Sequence, residues 1–557
     1  MVEAKWQFRD FFSGKEALYL WAAALAIFML GIWQQPFINF ETRFAVFAQE
    51  MLRNGLTLFP TSYGQPYPDY PVTSTALIWL FSLPFGQVTK FSAVLPTALA
   101  SATVVALTYQ LFAQYSRRWG LLAVGFEFLT ATFLAESRSI SVDQMVSAIT
   151  LSAFYLTHKS YRNGLALPTI RLVLLLIAGF LIRGPIGVVI PAGVVLSHLL
   201  LTSERRAVVS FAAWSSGVLI TCSAMLLGLA MFIYGKDFVG DIVRMQAFSR
   251  FAESAPSPGY YYLTSSFGNY ALSYPIAVMV AALMLLNKLR KRSSVSNRAN
   301  TVFIELLMAW TVILLVGLSI PETKKVRYIL PVVPALAGLA SYVFIDTEYS
   351  LMKWLRRCVQ LVLLFLPFLA AVLLYTQKAR LGHYGLNLHF LMAAFFLLFI
   401  INVSIFIRQK NRKSDMSMQL LFVGVLSAIC FHLAIVEPID LSIHDTSGFV
   451  RRIESLREEK PGELVFYKEN PDGLPIKYLV NARVDLLPKF ISDLEFLRNN
   501  HSPIWLLTRE RNIDDLVNAG IDRKSVIYHE KFGELPFLAV FIPASSVTPK
   551  SPEQVAP

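Results

Sequence analysis

The chain has 557 residues, 55% of them hydrophobic and 16% charged, with a formal net charge of +13 and a mean hydropathy of +0.52. That composition excludes a soluble multidomain protein and describes a polytopic α-helical membrane protein. The cysteines Cys222, Cys358 and Cys430 lie far apart inside apolar runs, against a disulfide framework or a cysteine metal site. The lysines and arginines fall in short clusters between apolar runs, which is the pattern of membrane orientation and argues for no nucleic-acid partner.

At the N-terminus no short apolar core precedes a small-residue cleavage site, so the run 17–34 reads as an uncleaved anchor. Apolar runs of roughly spanning length, about 17–25 residues, follow near 92–113, 119–135, 143–157, 168–182, 184–201, 208–234, 268–287, 302–319, 327–344, 356–375, 387–407 and 418–436. One more, "VTSTALIWLFSLPF" at 72–85, is too short to cross comfortably.

Charge decides its status. The clusters "KLRKR" (288–292), "KWLRR" (353–357) and "RQKNRK" (408–413) belong on the cytoplasmic side, and alternation backwards places "SERR" (203–206), "HKSYR" (158–162) and "SRR" (116–118) there too. The span 92–113 then starts outside, where the loop after an N-in first span also lies. The 72–85 run is therefore expected along the outer surface as an interfacial helix, which leaves about 13 transmembrane helices in a domain over 1–436 whose first outer loop is 35–91.

From residue 437 charge rises and the apolar runs shorten. "GELVFYKE", "SPIWLLTRE" and "LAVFIPAS" predict strands, while "DTSGFVRRIESLREE" and "ISDLEFLRNN" predict helices. A small soluble α/β domain over 437–545 is expected on the outer side, followed by a disordered tail at 546–557. With no Walker or dinucleotide glycine motif, nothing supports ATP-driven work.

The topology sorts the polar residues. Glu41, Arg43, Asp69, Glu136, Arg138, Asp143, Arg183, Arg250, Glu253, Glu322, Lys324, Lys325 and Arg327 all fall on the outer side, mostly in short loops that join or abut spans. Acids and bases gathered at one membrane face point to a site there. Taken singly, each has an ordinary explanation: Arg138 or Arg183 as a snorkelling headgroup contact, Asp143 as a charge at a helix N-terminus, Glu41 with Arg43 as a surface pair. In "INFETRFAVFAQEMLRNG" (38–55), Phe44, Val46, Phe47, Met51 and Leu52 are expected to anchor an interfacial helix.

That same segment resembles "DETRYAEIAREML", which opens the first outer loop of the lipid A aminoarabinose transferases, and more distantly the Asp-Glu motif of the protein O-mannosyltransferases. "YGQPYPDYPVTSTALIWLF" is similar to the aminoarabinose transferases' glycine, acid-Lys-Pro-Pro and interfacial-helix stretch. "ESRSISVDQMVSAITLSAF" resembles their Arg and Asp at the second outer loop, "LIRGPIGVVIP" their "LTKGPVGLVLP", and "PETKKVRYILPVVPALA" their "SKRPTYLLPLFPALA". The matches keep family order from about 38 to 340. The resemblance implies the GT-C fold of a membrane glycosyltransferase and a periplasmic site in the bacterial inner membrane. It also implies a polyprenyl-phosphate sugar donor and a lipid A, glycan or protein acceptor.

Chemistry says why such residues are wanted. Displacing a sugar from a lipid-linked phosphate needs cations on the departing oxygens, and Arg43, Arg138, Arg183, Lys324, Lys325 and Arg327 are the candidates for donor-phosphate binding. A hydroxyl acceptor also needs a carboxylate base, whereas a phosphate acceptor is already ionised. Glu41, Asp69 and Asp143 are the catalytic candidates.

Departures from the family pattern bear on this. Its leading Asp is Phe40 here, its acid-Lys pair reads Asp69-Tyr70, and its metal-binding histidine has no counterpart in "FAESAPSPG". Zinc is therefore not carried over. Asp69 with Glu253 would suit a harder divalent cation, and the metal stays open. Two rivals remain: a lipid or sugar transporter, which would show repeats and ionisable groups at span centres, and a non-catalytic GT-C relative acting in assembly.

Overall fold

A backbone inside lipid satisfies its N–H and C=O groups within its own segment, so long apolar runs become helices. The computed structural model describes residues 14–68, 71–246, 257–289, 298–346, 349–412, 415–482, 487–494 and 502–544. In chain order the first helices are α1 (Lys15–Met29), α2 (Glu41–Asn54), α3 (Thr73–Ser82), α4 (Lys90–Ala113), α5 (Arg117–Phe128), α6 (Ala131–Ser137), α7 (Val142–Arg162), α8 (Thr169–Arg183), α9 (Ile186–Thr202) and α10 (Arg205–Tyr234). They are followed by α11 (Lys236–Gln246), α12 (Tyr261–Asn269), α13 (Ser273–Leu289), α14 (Arg298–Ser319), α15 (Val333–Ser341), α16 (Ser350–Thr376), α17 (Lys378–Leu381), α18 (Leu388–Arg412), α19 (Ser417–Phe431) and α20 (Glu437–His444). The short strands β1 (Thr61–Ser62) and β2 (Gln65–Pro66) lie between α2 and α3.

Helical structure takes up most of each of the apolar runs named above. Among the described residues, 8 helices are long and apolar enough to cross a membrane, or up to 9 if the bent pair α5–α6 counts as one span. The chain is thus a multi-pass membrane protein. The run 119–135 is broken: α5 and α6 meet at 76° around Thr130, whose hydroxyl bonds the Phe126 carbonyl at 3.0 Å and the Ser273 hydroxyl at 2.8 Å. The 72–85 run forms α3 and a 3-10 turn, Leu83–Phe85, together too short to be counted among the crossing helices.

The described chain divides into two compact units: 1–33, 56–60 and 66–439 form one, and 34–55, 61–65 and 440–557 the other. In the helical unit α4 packs on α1, α5 and α7 through small side chains such as Ala93, Ala98, Ser101, Ala102 and Ala106, all buried. Small residues let helix backbones approach closely where lipid supplies no hydrophobic drive. The α8–α9 hairpin takes this furthest, since a Cβ placed on Gly179 would lie 2.1 Å from the carbonyl oxygen of Gly187.

The second unit contains α21 (Ser447–Glu459), α22 (Leu474–Leu479), α23 (Ile513–Asn518) and a five-stranded sheet in the order β4 (Lys489–Ile491), β3 (Glu463–Tyr467), β5 (Ile504–Arg509), β7 (Leu535–Ile542), β6 (Val526–Phe532). β3 runs parallel to β4 and β5, and β7 is antiparallel to β5 and β6. Successive side chains of a strand point to opposite faces. Leu464 and Phe466 accordingly join a core with Phe449, Ile453 and Tyr478, while Val465 and Tyr467 join another with Leu506 and Leu516.

Two expectations are revised here. "ISDLEFLRNN" does not open as a helix, because Ile491 ends β4 and pairs with Tyr467; residues 495–500 lie outside the described set. Phe44, Val46, Phe47 and Met51 do not face lipid but are buried, with α2 packed against α22. An amphipathic pattern reports which face is apolar, not whether lipid or protein covers it. The expected disordered tail also lies outside the described residues.

Candidate functional site

The site in the helical unit is built on the first turn of α7. Ser141 N–H donates to Thr97 Oγ1 at 3.0 Å, and Gln144 Nε2 donates to the Phe133 carbonyl at 3.1 Å and to Ser137 Oγ at 3.0 Å. These bonds fix the turn that carries Asp143, a residue only 4% exposed. One carboxylate oxygen of Asp143 meets Nη1 of Arg183 in a short contact, and the other lies 3.4 Å from Nε of Arg327.

Each arginine arrives for its own local reason. Arg183 is the last residue of α8, which stops there because Gly184 takes φ +63 and Pro185 follows. A glycine takes such a positive φ without steric cost, and the Gly184 N–H closes the end on the Phe180 carbonyl at 2.7 Å. Arg327 sits in a 3-10 helix, Val326–Val332, where Pro331 has no N–H to give an α-helical ladder, and Pro334 follows in the first turn of α15. Side chains serve its carbonyls: Tyr270 donates to Val326 O at 2.8 Å and Trp310 to Pro331 O at 3.1 Å.

Tyr328 completes the arrangement. Its ring centroid lies 5.0 Å from Cζ of Arg183 and 6.0 Å from Cζ of Arg327, so both guanidiniums border the same aromatic ring. Lys324, in the same segment, is 6% exposed and donates to the Ser257 carbonyl at 3.0 Å, while the Ser257 N–H donates to the Glu322 carbonyl at 3.2 Å. Lys325 beside it is exposed. Two guanidiniums fixed on one carboxylate form a fork suited to a phosphate, which each can meet bidentately.

Arg138 is placed differently. Its Nε and Nη2 grip Glu437 at 2.9 Å each, Nη1 donates to the carbonyls of Ile27 and Phe28 at 2.7 and 3.0 Å, and Nη2 also donates to that of Leu30 at 2.7 Å. All five donors of the guanidinium are engaged. The carbonyls it serves lie in the last turn of α1 and just past it, where the helical ladder runs out of N–H partners, so its visible work is to tie that end to the start of α20.

Glu41 and Arg43 belong to the second unit. Glu41, 5% exposed, accepts the Ile38 N–H at 3.4 Å, and Arg43 Nη2 donates to the Asp472 carbonyl at 3.0 Å. Cζ of Arg43 lies 5.5 Å from the ring centroid of Phe40, so an aromatic face stands where the resembled pattern has an acid. Nearby Tyr63 donates to the Pro471 carbonyl at 2.8 Å; burial first, then the charges of Asp472 and Glu50, push its phenol well above the ordinary range. It remains a neutral donor at working pH.

Asp69, Arg250 and Glu253 lie outside the described residues, so the suggested Asp69 and Glu253 cation site falls there too. Among the described residues no group of three His, Cys, Asp or Glu side chains is arranged to hold a metal. Sequence reasoning missed Tyr328 and Glu437. The first directly follows Arg327, and the second is an acid before Pro438 at the end of an apolar run, a signal that could have marked it.

Residues 69–233 match the family described as dolichyl-phosphate-mannose-protein mannosyltransferase. The undecaprenyl phosphate-alpha-4-amino-4-deoxy-L-arabinose arabinosyl transferase of Serratia proteamaculans is 24% identical over 341 residues, a match that spans 57% of this chain and 58% of that relative. The solved structure of ArnT from Cupriavidus metallidurans bound to undecaprenyl phosphate aligns with a TM-score of 0.67 at 14% identity, covering 94% of this chain and 98% of that one. Its apo form aligns equally well. The chain has the ArnT-like GT-C fold and resembles the aminoarabinose transferase and mannosyltransferase families.

Proposed function

We propose that this protein is a GT-C glycosyltransferase that moves a sugar from a polyprenyl-phosphate donor to a lipid A, glycan or protein acceptor at the periplasmic face of the inner membrane. The observation that carries the reading is the Asp143, Arg183, Arg327 and Tyr328 cluster, together with Lys324 from the same segment as Arg327. In the reaction the bond from the anomeric carbon to the phosphate oxygen breaks as the acceptor oxygen attacks that carbon. Charge grows on the departing polyprenyl phosphate. Arg183, Arg327 and Lys324 stabilise it, in surroundings of low dielectric where charge-assisted contacts are strong.

Asp143, with both oxygens directed at arginines, acts as the organiser of that fork. Arg138 is assigned a structural part, since its donors serve Glu437 and α1. For a hydroxyl acceptor the proton must go to a carboxylate, and Glu41 or Asp69 is the reading for that base; for a phosphate acceptor no base is needed. The ArnT structure with bound undecaprenyl phosphate supports a donor of this class. The thirteen-span topology with the first loop and the C-terminal domain outside is part of the same proposal.

The test compares lipid A, glycans and surface proteins by mass spectrometry from cells with and without the gene, and assays the purified chain with a synthetic polyprenyl-phosphate sugar. Loss of one sugar from one acceptor class, restored by the gene, is the expected result. Unchanged envelope chemistry and no turnover would favour the non-catalytic relative.

A further inference from the structure

α7 runs from the Asp143 fork to a second polar site at its other end. Lys159 and Arg162 lie 16 and 19 residues beyond Asp143 on that helix, about 24–28 Å away at 1.5 Å per residue. There the structure holds a cavity of about 610 Å³ between the start of α1 and the ends of α4 and α7. Three cations line it: Lys15, Lys159 and Arg162. Arg162 is held in place, with Nη1 donating to the Gln114 carbonyl at 2.8 Å and Cζ 4.6 Å from the ring centroid of Tyr115.

Glu16 is the one carboxylate among the described wall residues, and it is already occupied. Arg117 meets it at 2.8 Å and the Tyr109 hydroxyl donates to it in a short bond. The cavity therefore keeps a positive balance. A second, independent observation concerns amides: Gln110, 8% exposed, has both side-chain amide atoms buried without a hydrogen-bond partner in the protein, and so does Nε2 of Gln114. Buried donors left without acceptors are costly. Both glutamines are on the cavity wall, so an acceptor-rich anion suits their Nε2 donors.

We propose that this cavity binds the phosphate of an acidic membrane lipid. Phosphate supplies what the wall lacks, acceptor oxygens and negative charge. A membrane lipid is favoured as its source because the site lies at the ends of membrane helices beside exposed apolar side chains: Leu18 and Tyr19 on α1, Tyr161 at the end of α7 and Leu165 just past it. Those side chains can lie along acyl tails while the headgroup sits among the cations. The site is separate from the Asp143 fork, and the inference does not depend on the transferase reading.

The experiment uses the full chain, delipidated in detergent and titrated with phosphatidylglycerol, phosphatidylcholine or inorganic phosphate, with adducts read by native mass spectrometry. One phosphatidylglycerol should bind per chain at least about tenfold more tightly than phosphatidylcholine, and Lys159→Gln with Arg162→Gln should weaken it by about tenfold or more. Gln110→Leu removes the buried amide without touching a charge, should leave the fold intact, and should also weaken binding. Equal affinity for the two lipids, or phosphatidylglycerol binding unchanged in both the double variant and Gln110→Leu, would overturn the proposal. Saturable inorganic phosphate binding, lost in Gln110→Leu and without any preference for phosphatidylglycerol, would overturn the lipid source.

Discussion

Arg138 grips both carboxylate oxygens of Glu437 at 2.9 Å each, across nearly 300 residues of sequence, and uses its other three donors on the end of α1. Breaking a buried pair by removing one partner leaves an uncompensated charge and costs about 3–5 kcal/mol. Arg138→Ala is expected to lower the thermal unfolding midpoint of the detergent-solubilised protein markedly, and Glu437→Gln to do so less. A variant that melts like the parent yet loses donor affinity would return Arg138 to the phosphate-binding set.

Arg183→Ala and Arg327→Ala are each expected to slow sugar transfer roughly 10²–10³-fold, the scale seen when one preorganised stabiliser of developing charge is removed. Asp143→Asn should reduce transfer through misplacement of both arginines. A double-mutant cycle between Asp143 and Arg183 should therefore show coupling of about 0.5–3 kcal/mol. Additive effects in that cycle, or near-normal turnover in both arginine variants, would take the fork out of the reaction.

Arg43 separates two roles. Its guanidinium donates to the Asp472 carbonyl and lies by Phe40, so Arg43→Ala should destabilise the second unit by about 1.5–3 kcal/mol, the worth of a hydrogen bond to a charged group. Thermal unfolding and single-turnover transfer measured on the same preparation decide between the roles. Loss of transfer with an unshifted unfolding midpoint would make Arg43 a donor ligand instead.

The acceptor class is tested by removing basicity and keeping shape. For a hydroxyl acceptor, Glu41→Gln or Asp69→Asn should nearly abolish transfer while donor binding persists. For a phosphate acceptor both variants should stay close to the parent rate, within the small contribution of an ion-pair partner. Donor affinity and single-turnover rates on the two variants give the answer, and wild-type rates in both would exclude carboxylate base catalysis at these positions.

Orientation has its own check. Single cysteines at Thr61, Gln87 and Ser502 should all react with a membrane-impermeant reagent from the outer side in intact cells with permeable outer membranes. Labelling of Ser502 with Gln87 reached only from the cytoplasm would refute the thirteen-span proposal, because α3 would then cross.

By itself the sequence determined the multi-pass helical class, the position of each apolar run and the central strands of the C-terminal sheet. These follow from local composition and period: spanning-length apolar runs must satisfy their backbones as helices, and "ELVFY" or "IWLLTR" has too much β-branched and aromatic character to stay open. It also singled out Asp143, Arg183 and Arg327 as site candidates, because the charge-derived topology gathers them at one membrane face. Only the tertiary structure decided which of those charges meet. Arg138 and Arg183 look alike in sequence, each a lone arginine at a helix end, yet one is taken by Glu437 and α1 and the other by Asp143. Partner choice depends on how helices distant in sequence pack, through contacts such as Thr130 on Ser273 and Trp119 on the Gly338 carbonyl, and no local pattern encodes that geometry. The same holds for α2, whose apolar face is visible in the residues but whose cover, protein in place of lipid, is set by chain returning more than 400 residues later.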